Sequence, residues 1–161
     1  MKMRAKVGLT VVVLIGGCGV SLWHALKDDY GVGVDSVSWL PAEARNIAYV
    51  SFAVTTSKAE FDIEQEVFEK WCASRKMPLQ ELRDDGYHAV YRCLPMLERK
   101  GLIAPIIEPN DVERKQREVE RAIKNFGPGD LFYEERWSNG GGYSIGYDVK
   151  EKRGYYDYMH H

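Results

Sequence analysis

The chemistry-bearing residues of this chain show no spacing typical of a metal or redox site. The 161 residues include three cysteines and four histidines, but no H-E-x-x-H zinc motif, no C-x-x-C pair and no Walker loop. His160 and His161 end the sequence without a neighbouring Glu or Cys, so they form an incomplete zinc set. His88 follows Asp84 and Asp85, and could act as a general base only if the fold supplied a nucleophile. We predict no catalytic residue, no metal and no cofactor.

Two cysteines, Cys72 and Cys93, lie in the body of the chain. In an oxidising compartment they could form a disulfide that joins the first predicted helix to the third predicted strand. The alternative is a pair of buried, reduced thiols that behave as small apolar side chains. We favour the reduced thiols because the spacing of the pair matches no known pattern.

Aromatic residues are concentrated near the C-terminus, where nine of the 19 Phe, Tyr and Trp residues fall in the last 36 positions. Such side chains could stack on sugars or contact a partner, or they could pack across strands as core. The core interpretation fits Tyr143 and Tyr147, which alternate onto one strand face together with Ile145 and Val149. We expect this face to contact the helices.

Tyr155 and Tyr156 are adjacent on a predicted strand, so their side chains point to opposite faces. We therefore expect at least one of them to be exposed. The sequence predicts a binding surface formed by Trp137, Tyr155, Tyr156 and Tyr158.

The elements that would position these groups alternate between strands and helices. We predict a hairpin of two strands, over 47–55 and 58–63, with Lys58 and Glu60 on the polar face of the second. Capping-box patterns at Asp62 and Asn110 predict helices that end near residues 76 and 126. Strands are predicted over 87–93, 131–137, 143–149 and 154–159, the last three as an antiparallel meander, and residues 94–109 are predicted to be irregular. The predicted fold class is α+β, an antiparallel sheet with two main helices packed on it.

Three blocks of sequence follow one another in the body of the chain. They are Glu60-Phe61-Asp62-Ile63 with Phe68 and Trp71, then Tyr133-Glu134 with Arg136 and Asn139-Gly140-Gly141-Gly142, and finally Tyr147-Asp148 with Arg153, Tyr155 and Tyr156. In this order they resemble small uncharacterised proteins of planctomycete-type bacteria. The resemblance spans most of the body. It implies an α+β domain that is often exported, and it implies no activity.

The N-terminal 26 residues are typical of a membrane anchor. Lys2, Arg4 and Lys6 precede a run from Val7 to Leu26 that contains no Asp, Glu, Lys or Arg. As a helix rising ~1.5 Å per residue, this run spans about 30 Å, which is the thickness of the hydrocarbon core of a bilayer. The positive-inside rule then keeps the N-terminus in the cytoplasm and exports the rest.

Two alternatives to an uncleaved anchor remain open. Ile15-Gly16-Gly17-Cys18 resembles the lipobox of a bacterial lipoprotein, in which case Cys18 would be lipidated and residues 1–17 removed. An ordinary cleaved signal peptide is the other. We predict an anchor or signal over 1–26, a tether over 27–38, and a single extracytoplasmic domain over 39–161. Removal of the tether should cost little stability.

Composition narrows the class of function without identifying it. The net charge is −2 and the pI about 6.1, which argues against a nucleic-acid binder. The predicted function is a non-catalytic domain, held at the cell membrane, that binds a protein partner or an envelope component. The alternative is an extracytoplasmic, hydrolase-like enzyme with a site assembled from scattered Asp, Glu, His and Tyr residues.

Overall fold

A computed structural model of the protein describes residues 28–52, 55–84, 86–104 and 120–160. Its main element is a seven-stranded antiparallel sheet with the strand order β1-β2-β3-β9-β8-β7-β4. The strands of this sheet are β1 (Asp29–Val34), β2 (Arg45–Phe52), β3 (Thr56–Asp62), β4 (Gln80–Glu81), β7 (Leu131–Arg136), β8 (Gly142–Asp148) and β9 (Arg153–Met159).

A second sheet and two helices complete the described elements. The second sheet pairs β5 (His88–Tyr91) with β6 (Ile123–Phe126). The helices are α1 (Gln65–Ser74) and α2 (Leu94–Arg99). Residues 120–122 are helical and lead directly into β6.

One face of the seven-stranded sheet is covered by α1 and by the loop that precedes β2. Phe68 of α1 lies between Phe61 of β3 and Tyr147 of β8, with ring centroids 5.9 and 5.3 Å apart respectively. Trp39 of the loop packs on Tyr156 at 5.4 Å. This face, which we term the helix face, holds the largest apolar cluster of the described residues.

The opposite face is covered by the second sheet and by α2. Phe126 of β6 contacts Phe132 and Tyr155 of the large sheet, with centroids 5.8 and 5.5 Å apart. The ring of Phe126 lies directly over Gly146, where an added Cβ would stand only 2.2 Å from it. A side chain at position 146 would force β6 away from the sheet. The large sheet is therefore the middle layer of three.

The predicted α+β class is wrong, because the described residues are dominated by antiparallel sheet. The predicted first helix corresponds to α1, although its N-cap is Glu64 and carries no side-chain capping bond. The predicted second helix over 110–126 ends early, because Ile123–Phe126 pair with β5 as a strand. Its residues 110–119 lie outside the described residues.

Two further segments differ from the sequence-based prediction. Within the segment 94–109, predicted to be irregular, residues 94–99 form α2, whose first turn accommodates Pro95 because that position needs no N–H donor. The tether predicted over 27–38 contains β1, whose residues Asp29–Val34 pair with β2. The described sheet thus begins ten residues before the predicted domain.

The local strand predictions are largely confirmed. β2 and β3 form the predicted hairpin, and β7, β8 and β9 form the predicted three-stranded meander. Val149 is an exception, since it lies one residue past the end of β8 and is 40% exposed.

The N-terminal segment 1–26, with the lipidation candidate Cys18, lies outside the described residues. Among the described residues, none of the helices has both the length and the apolar character that a membrane crossing requires.

Candidate functional site

The structure places Tyr155 and Tyr156 on opposite faces of β9, as predicted, but buries both. Tyr155 is 2% exposed and packs against Phe126, while Tyr156 is 8% exposed and lies under Trp39 and Trp71. The expectation that one of them is exposed is wrong because the sheet is covered on both faces. These two tyrosines therefore offer no surface for a partner.

Trp137 and Tyr158, the other two predicted binding residues, lie together at one end of the helix face. Their ring centroids are 6.0 Å apart, and each also contacts Tyr143, at 5.7 and 5.0 Å. All three rings are half-buried. The indole N–H of Trp137 donates to Glu135, and this hydrogen bond is the main cause that lowers the pKa of the Glu135 carboxyl.

The two body cysteines are free and belong to apolar clusters on opposite faces of the large sheet. Burial raises the pKa of the Cys72 thiol to about 12. Burial together with the neighbouring Glu60 carboxylate raises the pKa of the Cys93 thiol as well. Both thiols are therefore protonated at neutral pH and poor nucleophiles.

Buried charged residues line the face opposite α1, and the sequence analysis did not predict them. Lys58 Nζ donates to Asp157 Oδ1 at 2.5 Å, and both side chains are nearly inaccessible. Burial raises the pKa of Asp157, although the Lys58 ammonium opposes the shift. Glu60, which is 1% exposed, accepts two hydrogen bonds from the guanidinium of Arg92, the residue that follows β5. We term this face of the sheet the ionic face.

A cavity of about 310 Å³ lies beside these ion pairs. Its apolar walls include Met96, Tyr91 and Met159, and the Lys58 ammonium stands 5.2 Å from the centroid of the Tyr91 ring. Among the described residues, the lining consists of Thr56, Lys58, Tyr91, Arg92, Pro95, Met96, Arg99, Ala122 and Met159. This described part of the lining combines apolar walls with three basic side chains and contains no carboxylate or histidine.

Ser144 lies in the segment Gly142–Gly146, which matches the G-x-S-x-G pattern of serine hydrolases and was overlooked in the prediction of no catalytic residue. In those enzymes the serine sits on a tight turn between a strand and a helix. Here it lies within β8 and is buried. Its hydroxyl donates to Glu134 and accepts from Arg136. The backbone at Ser144 therefore lacks the exposed strand-to-helix turn on which the nucleophilic serine of those enzymes lies.

His88 is half-buried at the start of β5, where its ring lies 5.2 Å from that of Phe132 and its Nε2 lies 3.8 Å from Asp84. Within the part of the chain that the structure describes, no three His, Cys, Asp or Glu residues are grouped to hold a metal ion.

No protein-family model matches the chain, and comparisons with curated proteins and with solved structures give no significant match.

Proposed function

We propose that the protein is a membrane-anchored, extracytoplasmic binding domain without catalytic activity, and that its ligand is a small amphipathic anion of the cell envelope. The membrane attachment rests on the sequence, on the charge-free run from Val7 to Leu26 and the basic residues before it. The ligand class rests on the cavity beside α2.

The observation that carries this proposal is the chemistry of that cavity. Its volume of about 310 Å³ falls at the lower end of the range ~300–1,000 Å³ of small-molecule sites, which combine apolar walls with a few polar groups. Of the three basic residues in the described lining, two are already neutralised, Lys58 by Asp157 and Arg92 by Glu60. Arg99 is exposed and has no carboxylate partner among the described residues, so its guanidinium is available to bind an anion.

The membrane-inserted full chain is the material for the test. Isothermal titration calorimetry on the protein in lipid nanodiscs, with empty nanodiscs as blank, measures binding of phenylbutyrate, phenylbutanol and phenylbutylamine. These probes share an apolar body and differ in charge. We expect saturable binding of the anion, weaker binding of the alcohol, and the weakest binding of the amine, because the uncompensated Arg99 guanidinium repels its ammonium group.

Two variants locate the site. Arg99→Ala should weaken phenylbutyrate binding more than phenylbutanol binding, and Ala122→Trp should abolish both by filling the cavity. Lys150→Ala, in the exposed turn between β8 and β9, is the matched control and should bind as the parent does. Equal binding of amine and anion, or no loss in Ala122→Trp when its melting curve matches the parent's, would overturn the proposal.

A further inference from the structure

The two ends of the seven-stranded sheet differ in their side chains. At one end, the cross-strand partners from β1 to β7 form the row Asp29, Ser51, Ser57, Tyr158, Tyr143 and Glu135. At the other end, the partners from β2 to β8 form the row Arg45, Asp62, Arg153 and Asp148. We term these the aromatic end and the charged end.

The connections at the two ends repeat this difference. At the aromatic end, the segments 51–57 and 137–143 contain no Asp, Glu, Lys or Arg. At the charged end, the segment 148–153 contains five such residues out of six. Contact with the apolar part of a membrane is costly for charged groups and favourable for Trp and Tyr, which concentrate at lipid interfaces. The aromatic end is therefore the end suited to a lipid surface.

The chain enters the sheet at this same end. The apolar run ends at Leu26 and β1 begins at Asp29, so only two residues stand between them. Since consecutive Cα atoms are ~3.8 Å apart, the Cα of Asp29 lies within about 11 Å of the Cα of Leu26. A domain attached by so short a connection cannot turn its aromatic end far from the membrane.

Apolar side chains are exposed beside the point of entry. Tyr30 and Val32 of β1 are 37% and 45% exposed, and Leu102, after α2, is 46% exposed. The Lys100 ammonium lies over the rings of Tyr30 and Phe52, at 5.1 and 5.5 Å from their centroids. A lysine among aromatic rings is suited to a headgroup region, because its stem can lie along apolar groups while its ammonium stays hydrated.

We propose that the aromatic end of the sheet rests on the lipid surface, with Trp137, Tyr158, Tyr30 and Leu102 at the interface. The domain then stands on the membrane with its strands pointing away and its charged end toward the aqueous phase. This inference depends on the membrane anchor of the proposed function and is independent of the ligand cavity.

The test measures how close each end of the sheet comes to lipid. In a Cys18→Ser background, Ser138→Cys places a single reactive thiol in the exposed turn between β7 and β8, at the aromatic end. Lys150→Cys does the same in the turn between β8 and β9, at the charged end, and serves as matched control. Each full-length protein is labelled with an environment-sensitive fluorophore and reconstituted into phosphatidylcholine vesicles with or without nitroxide-labelled lipid. The background protein measures any labelling of the buried Cys72 and Cys93.

We expect blue-shifted emission and several-fold stronger quenching for the label at position 138 than for the label at position 150. Vesicle flotation identifies which premise has failed. A protein that floats with the vesicles but shows equal quenching at both positions retains its anchor and overturns the docking. If neither this protein nor the parent chain with Cys18 intact floats, both the anchor and the docking are overturned.

Discussion

Tyr147 stabilises the core through both its ring and its hydroxyl. The side chain is 1% exposed, its ring contacts Phe68 of α1, and its hydroxyl donates to the backbone oxygen of Ile63 at 2.9 Å. Tyr147→Ala should lower the free energy of unfolding by about 3–5 kcal/mol, the range for deleting a large buried aromatic side chain. Urea denaturation followed by circular dichroism measures the change. Tyr87→Ala, at a residue that is 79% exposed, should leave the midpoint nearly unchanged.

Asp148 links stability to pH. Burial raises the pKa of its carboxyl, but the hydrogen bonds from Lys124 Nζ and from the Glu151 backbone outweigh burial and lower the pKa from 3.8. A lowered native pKa stabilises the fold above the ordinary carboxyl pKa, and this contribution is lost as the pH falls through the native value. Asp148→Asn should therefore reduce stability at neutral pH.

The difference in melting temperature between Asp148→Asn and the parent protein should shrink as the pH is lowered below 3.8. Thermal melts from neutral to acidic pH measure it, and Glu43→Gln, at an exposed loop residue, is the control. A difference that is constant over the whole pH range would contradict the role given to the Asp148 carboxylate.

Single-residue predictions from sequence succeeded where one strand face was uniformly apolar. Tyr143, Ile145 and Tyr147 do share the helix face, because strand alternation fixes this from local order alone. Lys58 and Glu60 have the alternation of a solvent-facing row, yet they are buried. The second sheet and α2, which lie far from β3 in sequence, make that face an interior one, so the local pattern around Lys58 and Glu60 does not predict their burial.

At the scale of elements, β1 can be tested directly, because the sequence predicts a tether at this segment and the structure shows a paired strand. Five residue pairs join β1 to β2, and the Tyr49 hydroxyl donates to Asp29. Each cross-strand pair contributes ~0.2–1 kcal/mol, so replacing residues 29–34 by Gly and Ser at equal length should cost about 1–5 kcal/mol. Chemical denaturation of the full chain in detergent measures this. Unchanged stability would show that the segment is a tether after all.

Hairpins and the meander were predictable because their strands are neighbours in sequence. The strand β6 was not, since Ile123–Phe126 continue the predicted charged helix and have no strand signal of their own. Pairing with β5 and contact of Phe126 with Gly146 favour an extended backbone there. Tertiary packing outweighs the weak local preference for helix over this segment.

At the scale of the whole molecule, the thiols report on folding and on the N-terminus together. Cys72 and Cys93 are buried on opposite faces of the sheet, so neither should react with a disulfide reagent in the native protein. In denaturant, titration with the same reagent should detect three thiols per chain if Cys18 is retained unmodified, and two if Cys18 is lipidated or removed. Fewer than two would indicate a disulfide between Cys72 and Cys93.

The place of β9 in the sheet has a consequence for the order of events during synthesis. Seven residue pairs join β9 to β3, so the strand that comes last in sequence among the described strands lies between the two halves of the sheet. Until it arrives, β3 presents an unpaired edge, a feature that promotes association with other chains. Pairs so distant in sequence also form slowly, because a long loop must close first. Deletion of β9 would remove an inner strand of the sheet and leave the edges of both β3 and β8 unpaired.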